Sequence, residues 1–116
     1  MSELKAVKVL VDTEDVGRLA HFYADSFGMK VTQEMEGWAE IEFGTAAIGF
    51  HGGGDASKEA WTPLSFTVTD LELTGKAVES NGGTIVNTPY DPGEGPFLLA
   101  TYRDPERNLF MARQDV

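Results

Sequence analysis

Apolar residues recur along the chain in two similar series of strand and helix periods. In the first series an alternating run is followed by a helical stripe from Val16 to Phe27, with Asp12 and Thr13 placed to cap the helix start. The helical pattern ends at Gly28, because a C-cap residue in the left-handed backbone conformation is most often glycine. Alternating apolar runs predict the strands of this half at 6–11, 29–33, 38–43 and 46–50.

The second series follows an irregular, glycine-rich stretch at 52–62, which we interpret as a flexible connector. A helix is predicted from Leu71 to about Asn81, with Asp70 as its N-cap. Its inward-facing residues are predicted to be Leu73, Ala77 and Val78. Alternating runs predict the strands of this half at 64–68, 84–87, 97–102 and 108–113, with a turn-rich loop at 89–96.

The two series match at a constant offset. Pairs of equivalent residues that differ by 55 positions are the capping acids Asp15 and Asp70, the glycines Gly28 and Gly83, and Val31 and Val86. A repeat of this kind determines the architecture. Because a short helix covers one face of a sheet, neither half buries its sheet alone. We therefore predict an α+β fold in which two βαβββ modules pair into a curved mixed sheet with helices on the convex face. The single domain spans 1–116, with module 1 at about 5–51, the connector at about 52–62 and module 2 at about 63–114.

Composition narrows the class of protein. The chain is 41% hydrophobic, enough for one core, and contains no cysteine and no apolar run near the roughly 20 residues that a bilayer requires. Its 19 acidic and 9 basic residues give a net charge of −10, which repels phosphate backbones. We expect a cytoplasmic protein without a secretory signal and without nucleic-acid or membrane partners.

Three segments resemble those of a known superfamily. The run HFYADSFG at 21–28 is similar to an "FYxxxLG" helix, and FTVTDL at 66–71 followed by NGG at 81–83 is similar to the start of a second module. The run RDPERN at 103–108 is similar to a "DPxGN" turn, with Arg107 in place of the usual glycine. In this order and over nearly the whole chain, the segments resemble the vicinal oxygen chelate superfamily of glyoxalases, bleomycin-resistance proteins and extradiol dioxygenases.

The resemblance implies a divalent-metal site with one ligand from each of four strands on the concave face. The matching positions hold Lys8, Gly49, Pro63 and Met111. A lysine ammonium has no free lone pair, glycine and proline offer no side-chain donor, and a thioether suits soft copper(I). A register change of one residue points to the opposite face of the sheet. We therefore predict neither a bound metal nor another cofactor.

Strand parity predicts which residues line the concave face. The valines at 7, 9 and 11, together with Ile48, Phe50, Leu64, Phe66 and Val68, are expected to face the helices. The opposite parity predicts a ligand-binding wall of small, polar and flexible side chains. Its residues are Lys8, Leu10, Ala47, Gly49, His51, Ser65, Thr67, Leu109, Met111 and Arg113.

Several residues carry alternative interpretations. His51 is a candidate general base or an exposed loop histidine. Lys8 pairs with an anionic ligand or with Glu40 or Glu42. These two glutamates form an acid/base pair or the solvated side of a strand. The two tryptophans, Trp38 and Trp61, are ligand-stacking platforms or fillers of a core or dimer interface.

Two functions remain open. The first is a metal-independent small-molecule-binding protein, a homodimer that sequesters an apolar or aromatic ligand as bleomycin-resistance proteins do. The acidic charge would suit a cationic ligand. The second is an enzyme of the superfamily (a lyase, an isomerase or a ring-cleaving dioxygenase) that works through His51, Glu40 or Glu42.

Overall fold

The computed structural model describes residues 2–57 and 59–116, and within these ranges it contains two helices and eight strands. Met1 and Lys58, which fall in the predicted domain and connector, lie outside the described residues. The elements are β1 Val9–Asp12, α1 Val16–Phe27, β2 Lys30–Met35, β3 Trp38–Phe43, β4 Ala46–His51, β5 Trp61–Thr67, α2 Leu71–Ser80, β6 Thr84–Tyr90, β7 Phe97–Arg103 and β8 Leu109–Asp115.

The strands form two mixed sheets of identical topology. The first sheet has the order β1-β4-β3-β2, and the second has the order β5-β8-β7-β6. In each sheet one neighbouring pair is parallel, β1 with β4 in the first sheet and β5 with β8 in the second. The other neighbouring pairs are antiparallel. The predicted α+β fold of two βαβββ modules is confirmed. Among the described residues, no strand pairing joins one sheet to the other.

Strand ends differ from the predicted bounds where pairing partners decide them. β1 begins at Val9, where its parallel pairing with Ile48 of β4 starts. β5 begins at Trp61, inside the predicted connector, because Trp61 pairs with Leu109 of β8. Hydrophobic periodicity carries no information about the length of a partner strand.

Local side-chain chemistry sets the helix ends. The Asp15 carboxylate accepts the Arg18 N–H at 3.2 Å, so Asp15 is the N-cap of α1, as its place in the repeat predicts, whereas the prediction that Asp12 or Thr13 caps this helix is wrong. Gly28 ends α1 with φ +69°, as predicted for a left-handed cap. Asp70 is the N-cap of α2, also as predicted.

An aromatic cluster beneath α1 joins the two modules. The Tyr23 ring lies 5.8 Å from Phe50 of the first sheet and 5.9 Å from Phe66 of the second. Phe110 of β8 contacts the same tyrosine edge-on at 5.1 Å, and Phe27 stacks on Phe66 at 3.8 Å. Helix α1 therefore packs against both sheets, and the core is continuous across the modules.

The strand-parity prediction of the core holds for most positions. Val11, Ile48, Phe50 and Leu64 are buried, and Phe66 and Val68 pack against them as partly buried residues. The prediction is wrong for Val7 and Val9, which are exposed because no helix reaches the start of β1.

The orientation of α2 also differs from the prediction. Leu71, Thr74 and Val78 face the second sheet, whereas Leu73 is exposed, so the assignment of Leu73 to the core is wrong. Two leucines in one helical turn therefore have opposite environments.

This pair provides a matched stability test. Leu71→Ala is expected to lower the free energy of unfolding by about 2 kcal/mol, because it removes a buried side chain and leaves a cavity. Leu73→Ala is expected to change it by less than about 0.5 kcal/mol, because that side chain is already in water. Urea denaturation of both variants measures the difference, and equal losses would contradict the orientation of α2.

A group of polar contacts, the inter-module latch, connects the start of α1 to the β7–β8 turn. The buried Glu106 carboxylate accepts hydrogen bonds from the Thr13 hydroxyl and from the N–H groups of Glu14 and Asp15. The Tyr23 hydroxyl donates to Asp104 at 2.7 Å. Burial raises the pKa of Asp104 above its usual range and raises that of Tyr23 well above 10. The second module thus supplies an anion beside the N-terminal end of the first module's helix.

Tyr23 and Tyr102 are both buried, but we expect loss of the hydroxyl to change the stability of the fold differently at the two positions. Tyr23→Phe is expected to destabilise the fold by about 1.5 kcal/mol, because Asp104 loses a buried donor. The Tyr102 hydroxyl is buried without a hydrogen-bond partner among the described residues, and burial with nearby Glu72 raises the pKa of this phenol to about 12. Tyr102→Phe is therefore expected to be neutral or stabilising. Thermal unfolding of both variants tests these expectations. A clear loss of stability in Tyr102→Phe would contradict them.

Candidate functional site

The concave face of the first sheet has an indole ring at its centre. Leu10, Gly49 and Glu40 are neighbours across β1, β4 and β3. A Cβ atom added to Gly49 would lie 2.9 Å from Cζ2 of Trp38 and 2.8 Å from Cδ2 of Leu10. The indole therefore covers Gly49, and its Nε1 donates to the side chain of Gln33 at 3.1 Å. Glycine is required at position 49 because the ring fills the space that a side chain would need.

An ion pair lies beside this ring. Lys8 Nζ is 2.7 Å from Glu40 Oε1, and the glutamate side chain is 4% exposed whereas that of the lysine is 40% exposed. Of the alternatives open for Lys8, the structure shows the pairing with Glu40. The interpretation of Glu40 as part of a solvated strand face is wrong, because Lys8 and its neighbours on the concave face exclude water from it.

Glu42 differs from Glu40, although the two share one face of β3. Its side chain is partly buried and makes no hydrogen bond or ion pair with any described residue. The two carboxylates therefore do not form a matched acid/base pair. Glu42 offers a negative charge that a ligand on this face can use.

His51 ends β4 next to Trp38 in the register of the first sheet. Its side chain is exposed, and within the described ranges no group hydrogen-bonds to the imidazole ring. A general-base histidine needs a partner that orients the ring and selects its tautomer. His51 has the environment of an exposed loop histidine.

The matching face of the second sheet is polar and more open. Ser65, Met111 and Thr101 form one cross-strand row, and Thr67, Arg113 and Leu99 form the next. The Arg113 guanidinium lies 4.0 Å above the Phe97 ring, and its Nε donates to Asp115 at 2.7 Å. Trp61 lies at the start of β5 and is 59% exposed. No aromatic contact between Trp61 and Trp38 exists among the described residues.

The four positions that match superfamily metal ligands do not fit a hard divalent ion. Lys8 is an ammonium held by Glu40, Gly49 is covered by the indole, Pro63 has no donor and Met111 offers a thioether. In residues 2–57 and 59–116, no three His, Asp or Glu side chains gather in a metal-binding arrangement.

A groove of about 320 Å³ separates the two modules, and we call it the inter-module groove. It lies between the unpaired edges of β1 and β5, and the C-terminal end of α1 contributes to its lining. Sequence reasoning missed this groove because its walls come from both modules, and no local pattern signals it. Its principal lining residues are Val9, Phe27, Met29, Phe43, Ile48, Pro63, Ser65 and Phe66.

The paired βαβββ modules define a protein of the vicinal oxygen chelate fold. A family model described as "Glyoxalase-like domain" matches residues 8–112, so the chain belongs to the glyoxalase-like domain family within that superfamily. None of the curated proteins matches the chain significantly. No helix in the described part of the chain is long and apolar enough to span a membrane.

Solved structures share the fold at low sequence identity. A glyoxalase/bleomycin resistance protein/dioxygenase family enzyme from Burkholderia phytofirmans PsJN is 20% identical, with a TM-score of 0.76 over 94% of this chain and 97% of that one. A glyoxalase/bleomycin resistance protein from Albidiferax ferrireducens T118 is 19% identical, with a TM-score of 0.71 over 94% and 97%. An integron cassette protein from V. cholerae is 24% identical, with a TM-score of 0.68 over 98% and 97%. These similarities establish the fold.

Proposed function

We propose that this protein is a metal-independent small-molecule-binding protein that acts as a cytoplasmic homodimer and sequesters an apolar or aromatic ligand. We further propose that its 116 residues work as one domain. The observation that carries the proposal is the Trp38 ring lying over Gly49, at one of the positions that the resemblance to the superfamily assigns to a metal ligand. An aromatic surface replaces a coordinating side chain there.

The surroundings of the ring favour an aromatic ligand with a positive charge. Indole is the aromatic side chain that best attracts a cation over its face. The Gln33 carbonyl fixes the plane of the Trp38 ring, so little side-chain freedom is lost on stacking. Glu42, on the same face of β3, supplies a carboxylate that makes no ion pair with a described residue, although Lys30 is its cross-strand neighbour. The remaining residues of the proposed binding surface are Lys8, His51, Trp61, Ser65, Met111 and Arg113.

A second candidate function is catalysis by a superfamily-type lyase, isomerase or ring-cleaving enzyme with a non-standard site. The observation that favours it is the buried Glu40 carboxylate held at 2.7 Å by Lys8. A buried carboxylate next to a lysine is able to exchange a proton with a bound substrate. Turnover of methylglyoxal–glutathione or of a catechol, lost in Glu40→Gln, would favour this function over sequestration.

Tryptophan fluorescence tests the binding proposal directly, because the chain has only two tryptophans. In Trp61→Phe, all tryptophan emission comes from Trp38, and titration with aromatic amines and cationic glycopeptide antibiotics is expected to quench it. Trp38→Ala is expected to raise the Kd of a binding compound at least tenfold, since a stacked aromatic contact is worth about 1–3 kcal/mol.

The matched control is Leu73→Ala, which is expected to change the Kd by less than about twofold because Leu73 is exposed on α2, outside the proposed binding surface. Elemental analysis of the same samples is expected to show no stoichiometric transition metal. Binding that requires added metal, or equal losses in Trp38→Ala and Leu73→Ala, would contradict the proposal.

A further inference from the structure

We propose that the inter-module groove is a second small-molecule site, which binds an uncharged, flat aromatic molecule of two or three rings. The residues that carry the proposed function on the concave face, Trp38, Gly49 and Glu40, do not line this groove. The inference therefore goes beyond the proposed function and stands on a different part of the molecule.

The size of the groove matches a small ligand. Its volume of about 320 Å³ lies at the lower end of the range for ligand pockets, about 300–1,000 Å³. Its two main walls are β1 and β5, and each of these strands is fixed by a neighbour on its other side, β4 and β8 respectively. The groove is therefore formed before a ligand arrives, which spares the binding free energy the cost of ordering the site.

Aromatic side chains supply much of the apolar surface. Phe27, at the end of α1, stacks on Phe66 of β5 at 3.8 Å with an angle of 8° between the rings, and both rings remain partly exposed. Phe43 of β3 also lines the groove, and its exposed fraction is 68%. A flat ring system removes this surface from water and makes stacked or edge-on contacts with the three phenylalanines.

The charge of the groove selects against ions. None of the described residues that line it is charged, although charged residues make up 24% of the chain. Beside the lining residues Met29 and Phe43, the opposite charges of Lys30 and Glu42 are cross-strand neighbours and offset one another. A charged ligand would lose its hydration in the groove and gain no counter-ion, so the site favours an uncharged molecule.

The free edge of β5 adds hydrogen-bonding groups. The Val68 N–H donates to the Arg113 carbonyl at 2.8 Å, so Val68 directs its backbone groups to β8. Successive residues of a strand direct these groups to opposite sides, so those of Thr67 and Ser65 point to the edge that no strand covers. A ligand with one donor or acceptor at its rim can therefore be oriented by this edge.

Two fluorescent probes that share one ring system test the selection against charge. Phenyl-α-naphthylamine is uncharged and carries one N–H, whereas anilinonaphthalene sulfonate adds an anionic group to the same rings. Titration of the wild-type chain is expected to give saturable binding of one uncharged probe per chain and at least tenfold weaker binding of the sulfonate. Equal affinities, or no saturable binding of the uncharged probe, would overturn the proposal.

A matched pair of substitutions tests the location. Phe43→Ala removes an aromatic wall of the groove and is expected to raise the Kd of phenyl-α-naphthylamine at least about fivefold. The control is Leu73→Ala, because Leu73 has a similar exposed fraction, 61%, but lies on α2 outside the groove, and it is expected to change the Kd by less than about twofold. Equal effects of the two variants would contradict the assignment.

Isotope-filtered nuclear Overhauser spectra locate the probe without any substitution. Contacts are expected between the protons of phenyl-α-naphthylamine and the methyl groups of Val9, Ile48 and Val68, which line the groove. Contacts with the Trp38 indole instead would refute the groove site and leave the proposed function in place. Light scattering on the same samples tests another occupant, because a probe affinity that falls as a dimer forms would show that a second copy of the chain fills the groove.

Discussion

Replacing Phe110 by alanine is expected to lower the free energy of unfolding by about 4 kcal/mol. The Phe110 ring is fully buried on β8, and five other aromatic rings lie within 6.0 Å of its centroid. Truncation removes the contact surface of all five and leaves a cavity that a close-packed core cannot fill. The neighbouring rings belong to Phe22, Tyr23, Phe27, Phe66 and Tyr102.

The loss is expected to affect the whole chain, because three of these rings lie on α1 and two lie in the second sheet. Urea denaturation followed by circular dichroism is expected to show one transition at a lower midpoint. The control is Met35→Ala, an exposed position on the edge strand β2, with an expected change of less than about 0.5 kcal/mol. A loss below about 2 kcal/mol for Phe110→Ala would contradict the continuous core.

Glu106→Ala is expected to have a comparable effect, about 4 kcal/mol. The substitution leaves the buried Thr13 hydroxyl and the Glu14 N–H without their acceptor, and the Asp15 N–H keeps only its bond to the Thr13 hydroxyl oxygen. Each unsatisfied buried donor costs about 1–3 kcal/mol. The favourable interaction of the Glu106 carboxylate with the N-terminal end of the α1 dipole is also lost.

A graded series separates charge from hydrogen bonding at this position. Glu106→Gln keeps one acceptor oxygen and is expected to lose about half as much stability as Glu106→Ala. Glu94→Ala removes an exposed acidic side chain from the loop before β7 and is expected to be neutral. Thermal unfolding of the three variants measures the order of their stabilities. A nearly neutral Glu106→Ala would show that the inter-module latch does not hold the modules together.

Local patterns in the sequence were sufficient to predict the architecture. The helical stripe from Val16 to Phe27 and the strand at 38–43 coincide with α1 and β3, and Gly28 ends α1 as expected. The spacing of Asp15 and Asp70 reflects two helix N-caps in equivalent places of two modules. These features depend on residues within one turn or one strand of each other, so the order of residues contains them.

Strand pairing and the packing of helices on the sheets decided which side chains are buried where local patterns could not. Leu73 has the spacing of a core residue, but the second sheet lies against the side of α2 that carries Leu71 and Val78, so these two residues are buried instead. Glu40 has the pattern of a solvated strand residue, yet Lys8, 32 positions earlier, reaches it across the sheet. Such contacts depend on the register between strands, which periodicity leaves open.

The sequence by itself therefore determined the class of fold, the end of α1 at Gly28 and the start of α2 after Asp70, because these follow from local periods and from side-chain chemistry. The poor fit of Lys8, Gly49, Pro63 and Met111 to a metal ion follows from their chemistry at the positions that the resemblance assigns to metal ligands. Only the tertiary structure decided that an indole covers Gly49, that Glu40 is buried and that a groove separates the modules. Each of these features is formed by residues distant in the chain, and their contact depends on how two sheets and one shared helix pack together.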